Sequence, residues 1–139
     1  MITDLPLVVG VGASAGGIDA LSHLFEGIPS RCGMAFVVVT HLNPDRESLL
    51  HTVLAQKTGM QVKVAQNGER VEANTVYVMP ERVFLLMKDG RLRLMESTRS
   101  SREHKPIDIF FSSLAEDQKE NAAAIVLSGG DGDGTLGVK

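Results

Sequence analysis

The sequence predicts an α/β fold, a three-layer αβα sandwich with a mostly parallel, doubly wound sheet and a small β-hairpin. Apolar runs of strand length alternate along the chain with amphipathic segments of helical spacing. The run at residues 34–39 is β-branched and continuous, which is typical of a strand buried on both faces. Asp89-Gly90, between two further apolar runs, is the strongest hairpin signal in the chain.

Length and composition are those of one globular domain, and we expect residues 1–139 to form it. The chain has 139 residues, 43% of them hydrophobic, and a net charge of −3, which gives no general reason to bind nucleic acid or an anionic membrane. No apolar run approaches the roughly 20 residues of a membrane span, and no secretory signal is recognisable. Cys32 is the single cysteine, so we expect a cytoplasmic protein in which Cys32 is an inert small hydrophobe.

The first half of the chain predicts two strand–helix units. The first strand, residues 5–11, leads into a glycine-dense turn with Ser14 at its apex, and the first helix follows at residues 17–26. The second strand, residues 34–39, ends in a loop that contains His41. The remaining features of this half are a loop at residues 40–44, Asp45 as the expected N-cap, and a second helix through Leu54.

The second half predicts more strands, the hairpin and one helix. The predicted strands are residues 61–66, 76–80 and 122–127, and the hairpin pairs residues 83–88 with 91–95. The last of these strands is expected to be buried. Residues 98–105 are polar and read as an exposed loop before a helix that begins at Pro106. The apolar face of that helix is expected to contain Ile107, Phe110, Phe111 and Leu114.

The glycine-dense turn fits two motifs of different function. Residues 12–16 match G-x-S-x-G, the nucleophile elbow, and residues 10–15 match the relaxed dinucleotide fingerprint G-x-G-x-x-A. The dinucleotide interpretation requires an acidic residue at the end of the second strand to bind the ribose. That strand ends in Thr40-His41 instead, with no acid before Asp45, so the nucleotide interpretation is disfavoured.

Three predicted loops at the carboxyl edge of the sheet contain Ser14, His41 and Asp133, the residue types of an acyl-transfer triad. A histidine has an ordinary pKa near 6.5 and suits a general base, and an acid would orient it. Each residue also has a simpler structural interpretation: a helix cap for Ser14, a loop residue for His41 and a turn residue for Asp133.

Backbone N–H groups after the serine complete the predicted site. Those of Ala15, Gly16 and Gly17 precede the positive end of the first helix, where they would hold a developing oxyanion. His23 and His51 lie on predicted helices and are most simply exposed or packed helix residues. The acidic stretch at residues 131–134 resembles the start of a calcium loop but lacks the glutamate that such a loop needs, so no metal site is expected.

The same residues resemble the signature segments of a known family. Residues 11–17, 41–44 and 127–134 are similar to three segments of the chemotaxis protein-glutamate methylesterase family, the CheB catalytic domain, and the resemblance runs along essentially the whole chain. Two positions depart from it: Ala15, where the family often has threonine, and Gly130-Asp131, where it usually has methionine–glycine.

The resemblance implies hydrolysis of glutamate methyl esters on chemoreceptors, with deamidation of glutamine in some members. It matches Ser14 to the nucleophile, His41 to the base and Asp133 to the triad acid, and it implies no cofactor and no metal. The residues of the motifs are most similar to those of methylesterase domains fused to methyltransferase and kinase modules. The resemblance also implies that the catalytic domain continues beyond Lys139. The alternative is a non-catalytic interaction or sensory module within a larger signalling protein.

Overall fold

The protein folds as a parallel sheet between two layers of helices, with a hairpin in one of the layers. The structure is a computed structural model that describes residues 6–14, 18–41, 44–80, 83–96 and 106–127. Its strands are β1 (Leu7–Ser14), β2 (Met34–His41), β3 (Gln61–Val64), β4 (Thr75–Val78), β5 (Val83–Lys88), β6 (Arg91–Glu96) and β7 (Ala122–Leu127). Its helices are α1 (Ile18–Glu26), α2 (Pro44–Ala55) and α3 (Pro106–Gln118), and a short 3₁₀ helix follows α3.

The main sheet has five strands in the order β3-β4-β2-β1-β7, and every neighbouring pair is parallel. β5 and β6 form a separate antiparallel pair. This is the predicted α/β architecture with its hairpin. β1 lies between β2 and β7, so its backbone is hydrogen-bonded on both sides, and its carboxyl end has a neighbouring strand on each side.

Two separate apolar cores cover the two faces of the sheet, because successive strand residues point to opposite sides. On one face, α1 and α2 contribute Leu21, Phe25, Leu50 and Leu54. Phe25 packs edge-on against Phe36 of β2, with ring centroids 5.3 Å apart. The other face is covered by α3 and the hairpin, through Ile107, Phe110, Phe111, Leu114, Leu85, Met87 and Leu92. The apolar face predicted for α3 is therefore confirmed residue by residue.

The hairpin is fixed to α3 by side-chain caps. Asp89 and Gly90 have φ angles of 55° and 74°, as a two-residue type I′ turn requires. The carboxylate of Asp117 accepts hydrogen bonds from the N–H groups of Asp89 (2.6 Å) and Gly90 (3.0 Å), and Ser113 Oγ accepts one from Met87 N–H (3.0 Å). Burial works to raise the pKa of Asp117, but these N–H donors and Gln118 lower it below its ordinary value.

The segment between β3 and β4 is hydrogen-bonded to β6 of the hairpin. Leu92 exchanges backbone hydrogen bonds with it, donating to Glu69 O (2.8 Å) and accepting from Gly68 N–H (2.7 Å). Lys63 forms an ion pair with Glu69, and the hydrogen bond between the two side chains raises the pKa of Lys63. Burial raises the pKa of Tyr77, whose hydroxyl accepts a bond from Glu72 N–H at 2.8 Å.

The secondary structure follows the predicted order, with shifted boundaries. β3 and β4 both end at residues whose successors still donate to the sheet, since Ala65 N–H bonds to Val78 O and Met79 N–H to Val38 O, each at 2.9 Å. α2 begins at Pro44, so the predicted loop ends too late and Asp45 lies inside the helix instead of capping it. A proline at the first helical position loses no hydrogen bond, which explains that start.

The prediction that β7 is a buried strand is wrong. β7 pairs with β1 on one side, and within the described ranges no strand pairs with its other side. Ala123 and Ala124 are exposed, and Val126 retains 41% of its accessible surface. The run of apolar residues therefore reflects a strand at the edge of the described sheet, which composition alone does not distinguish from a central strand. No helix in the described part of the chain is long and apolar enough to cross a membrane.

Candidate active site

Ser14 and His41 end two neighbouring strands at the same level of the sheet. Ser14 is the last residue of β1, His41 is the last residue of β2, and the two are Cα register partners in the parallel ladder. Adjacent strands lie about 4.8 Å apart, so the two backbones are neighbours at the carboxyl edge of the sheet. That the serine and the histidine act together in one site stays a prediction.

Both residues lie on strands, which corrects the turn and the loop predicted for them. β1 continues through the glycine-rich stretch to Ser14, and β2 continues through Thr40 to His41. The predicted strand ends at Val11 and places Gly12 in the turn, and glycine does have low strand propensity. In a central strand with partners on both sides, the ladder and the packing above the strand override that preference.

The described residues before the two strand ends show which layer packs on them. In β2, Val37 and Val39 belong to the core under α3 and the hairpin. In β1, Gly10 and Gly12 lie against α3. Thr40 is 1% exposed. The first turn of α3 therefore packs close to the end of β1.

Gly10 and Gly12 have a packing role in this site that the sequence did not reveal. A β-carbon built on Gly12 would lie 2.5 Å from Ile107 Cγ2, and one on Gly10 would lie 2.9 Å from Phe111 Cε1. The first turns of α3 therefore rest directly on the β1 backbone, and any side chain on these glycines would displace the helix. Ile107 is 1% exposed, and Gly12, on which it rests, lies two residues before Ser14 at the end of β1.

This packing explains the two glycines without a nucleotide. In a dinucleotide fingerprint the glycines lie in the turn, where the backbone approaches a pyrophosphate. Here Gly10 and Gly12 lie within β1, and a protein side chain occupies the space that each leaves open. Together with the absence of an acid at the end of β2, this favours the nucleophile-elbow interpretation.

The third predicted site residue, Asp133, follows β7 along the chain. Leu127, the last residue of β7, is the register partner of Ala13, so the chain leaves β7 beside Ser14. Asp133, the predicted triad acid, follows along the chain and lies outside the described residues. So do Ala15, Gly16 and Gly17, the predicted oxyanion segment. α1 begins at Ile18, directly after that segment, with its positive N-terminal end toward the same edge.

The other candidate residues have structural roles. Cys32 is half-buried against the α1–α2 core, with its sulfur 3.9 Å from Met60 Sδ. His23 is exposed and its Nδ1 lies 2.8 Å from the carbonyl of Asp19, one turn earlier in α1. His51 is half-buried on α2. Among the described residues no group of three or more His, Cys, Asp or Glu side chains is placed to hold a metal ion.

Comparison with known proteins extends the resemblance over most of the chain. The sequence profile of the family described as CheB methylesterase matches residues 9–139. A Bordetella avium protein named protein-glutamate methylesterase/protein-glutamine glutaminase 1 is 33% identical over 138 residues, covering 99% of this chain and 40% of that protein. A Leptospira interrogans protein with the same two activities in its name is 27% identical over 130 residues, covering 93% of this chain and 67% of its own length.

The fold comparison agrees with the sequence comparison. The crystal structure of the Thermotoga maritima CheB methylesterase catalytic domain superimposes with a TM-score of 0.82 at 28% identity, covering 95% of this chain and 72% of that domain. The chain thus spans only part of each of these relatives, about two fifths in the case of the Bordetella protein. The family profile, the relatives and the fold all lead to one assignment. The chain belongs to the CheB methylesterase family.

Proposed function

We propose that this domain is a serine esterase that hydrolyses glutamate methyl esters on chemoreceptor-type signalling proteins, with glutamine deamidation as a second activity. The observation that carries the proposal is the register pairing of Ser14 with His41 at the carboxyl edge, in a chain that belongs to the CheB methylesterase family. The relatives named for both activities support the substrate class. Asp133 is proposed as the acid that orients the imidazole of His41.

The proposed reaction has two halves. His41 takes the proton of Ser14 Oγ as that oxygen attacks the ester carbonyl, and the resulting oxyanion is held by N–H groups of Ala15, Gly16 and Gly17. Collapse of the tetrahedral intermediate breaks the bond to the methoxy oxygen, which receives the proton from His41 and leaves as methanol. Water then attacks the acyl-enzyme with His41 as base, which releases the glutamate and restores Ser14. With glutamine as substrate, ammonia leaves in place of methanol.

This chemistry needs neither a cofactor nor a metal, because the serine, the histidine and the backbone N–H groups supply the nucleophile, the proton transfers and the oxyanion stabilisation.

The test is methanol release from a methylated chemoreceptor by the wild-type protein, by Ser14→Ala and by Ser112→Ala. Ser112 is exposed on α3 and serves as the matched serine control. We expect Ser14→Ala to lose about a thousandfold or more in kcat, with KM little changed and Ser112→Ala fully active. Methanol release that survives Ser14→Ala would exclude Ser14 as the nucleophile. A wild-type protein that releases no methanol would favour the non-catalytic signalling module.

A further inference from the structure

The outer face of the hairpin contains four cations in adjacent positions. Lys88 of β5 is directly opposite Arg91 of β6, and Arg91 forms an antiparallel bridge with Arg70 from the segment between β3 and β4. Residues directly opposite in an antiparallel ladder lie on the same face, so these three side chains form one row across three strands. Arg93 follows two residues after Arg91 on the same face. All four cations are exposed, whereas Leu92, between Arg91 and Arg93, is fully buried.

These cations have no carboxylate partners within the described chain. The ion pairs found there are Lys57 with Glu26 and Lys63 with Glu69. Arg91 donates to the carbonyl of Gly68 at 3.0 Å, which orients its guanidinium without supplying a negative charge. Like charges directly opposite each other in a sheet destabilise it. A row that retains this cost in a protein of net charge −3 is better explained by binding than by folding.

The same face becomes apolar toward the candidate active site. Leu86 is opposite Arg93, and Phe84 is opposite Met95, whose side chain is 53% exposed. Met95 is one of the few large apolar side chains of the described residues that remain exposed. We define this set, cationic end and apolar end together, as the hairpin outer face.

The orientation of α3 shows which end of the hairpin outer face adjoins Ser14. Asp117, near the C-terminus of α3, caps the hairpin turn, while Ile107, in the first turn of α3, packs over Gly12 of β1. The open end of the hairpin therefore lies toward the carboxyl edge of the sheet, and the cationic row lies toward the opposite edge. A six-residue strand separates the two ends by about 17 Å.

We infer that the hairpin outer face binds an acidic, amphipathic segment of the substrate protein that flanks the reacting glutamyl ester. This inference rests on the proposed function. Four cations spread over several strands match a segment with several carboxylates better than a single phosphate, and arginine forms paired hydrogen bonds to carboxylates. The exposed Met95 and its neighbours provide an apolar contact on the side nearest the site. A glutamate that carries no methyl group is anionic, so a segment with further glutamates beside the reacting ester has this charge.

The experiment compares two charge reversals of equal size. Arg93→Glu changes the hairpin outer face, and Arg31→Glu changes an exposed arginine between α1 and β2. We expect Arg93→Glu to lower kcat/KM on a methylated chemoreceptor by about tenfold at low salt and to weaken its ionic-strength dependence. Hydrolysis of p-nitrophenyl acetate, which is too small to reach this face, should be unchanged. Arg31→Glu should leave both substrates unaffected.

A direct binding measurement separates this inference from the proposed function. A fluorescein-labelled amphipathic 20-residue peptide with glutamates on one face is titrated by anisotropy, with a peptide that has glutamines in their place as control. Tighter binding of the glutamate peptide, lost in Arg93→Glu and retained in Arg31→Glu, supports the inference even if Ser14 proves not to be catalytic. Equal binding of the two peptides, equal effects of the two variants, or binding of the protein to vesicles with anionic lipids in place of the peptide would overturn it.

Discussion

Ser14 and His41 are register partners at the last positions of β1 and β2, two parallel neighbours in the centre of the sheet. This relationship is set by the ladder rather than by loop geometry. The ladder of β1 with β2 runs from the pair Leu7–Met34 to the pair Ser14–His41. The last two residues can separate along the strands only if every pair of this ladder shifts. A site built on strand ends is held more rigidly than one built on loops, which suits a reaction that depends on the distance between nucleophile and base.

The first prediction concerns His41 as the base. His41→Gln removes the proton acceptor, so methanol release should fall by about a thousandfold or more while the circular dichroism spectrum is retained. His51→Gln, on α2, is the control and should keep its activity because His51 lies away from the strand ends. If the two variants lost activity equally, the effect would be one of stability and His41 would not be the base.

Asp133 provides the second prediction. Asp133→Asn should lower kcat by about a thousandfold or more, because an amide neither stabilises the imidazolium nor holds the required tautomer. The neighbouring Asp131→Asn makes the same chemical change in the same glycine-rich segment and should have a small effect. Comparable kcat values for the two variants would refute the assignment of Asp133.

The third prediction concerns the packing of α3 on β1. Gly12→Ala places a methyl group 2.5 Å from Ile107 Cγ2, so it should destabilise the protein by about 1–3 kcal/mol and also lower kcat, because Ser14 lies two residues further along β1. Gly10→Ala meets the ring of Phe111 at 2.9 Å, four residues from Ser14, and should affect stability more than kcat.

A double mutant tests whether that contact is the cause. Ile107→Ala removes the atoms that Gly12→Ala would strike, so urea unfolding of the double mutant should show less destabilisation than the sum of the two single variants. If the changes in the free energy of unfolding of the two single variants were additive in the double mutant, Gly12 would be required for another reason, such as its backbone conformation.

The fourth prediction concerns the pH dependence of stability through Asp117. Its pKa is lowered in the folded protein by N–H donors of the hairpin turn, so its stabilising contribution is present above the ordinary pKa of aspartate and is lost as pH falls through the lower folded value. At pH 7, Asp117→Asn should lower the free energy of unfolding by about 1–2 kcal/mol. At pH 3 and below, the difference from wild type should shrink.

Glu116→Gln, one residue earlier and exposed, is the control for this experiment. Urea unfolding at both pH values gives the comparison. A difference between wild type and Asp117→Asn that stays constant with pH would show that the ionised carboxylate is not what holds the hairpin turn.

The helices and strands were largely predictable because their signals are local. The β-branched run at residues 34–39, the Asp89-Gly90 turn and the apolar face of α3 depend on residue type and spacing within a few positions. Boundaries were less predictable: β1 continues to Ser14 through Gly10 and Gly12, although both residues disfavour strands. The exposure of β7 was not predictable either, since an apolar strand at the described edge has the same sequence pattern as a central one.

Residue types and their order along the chain were sufficient to identify the α/β class, the family resemblance and the chemistry of the candidate residues. Strand pairing was not encoded in any local pattern. Only the folded sheet placed Ser14 opposite His41, brought Ile107 onto Gly12, and aligned Lys88, Arg91 and Arg70 in one row. These relationships join residues far apart in sequence, and they arise because hydrogen-bonded register and close packing act across strands. A one-residue slip between β1 and β2 would separate Ser14 from His41 while leaving every local pattern unchanged.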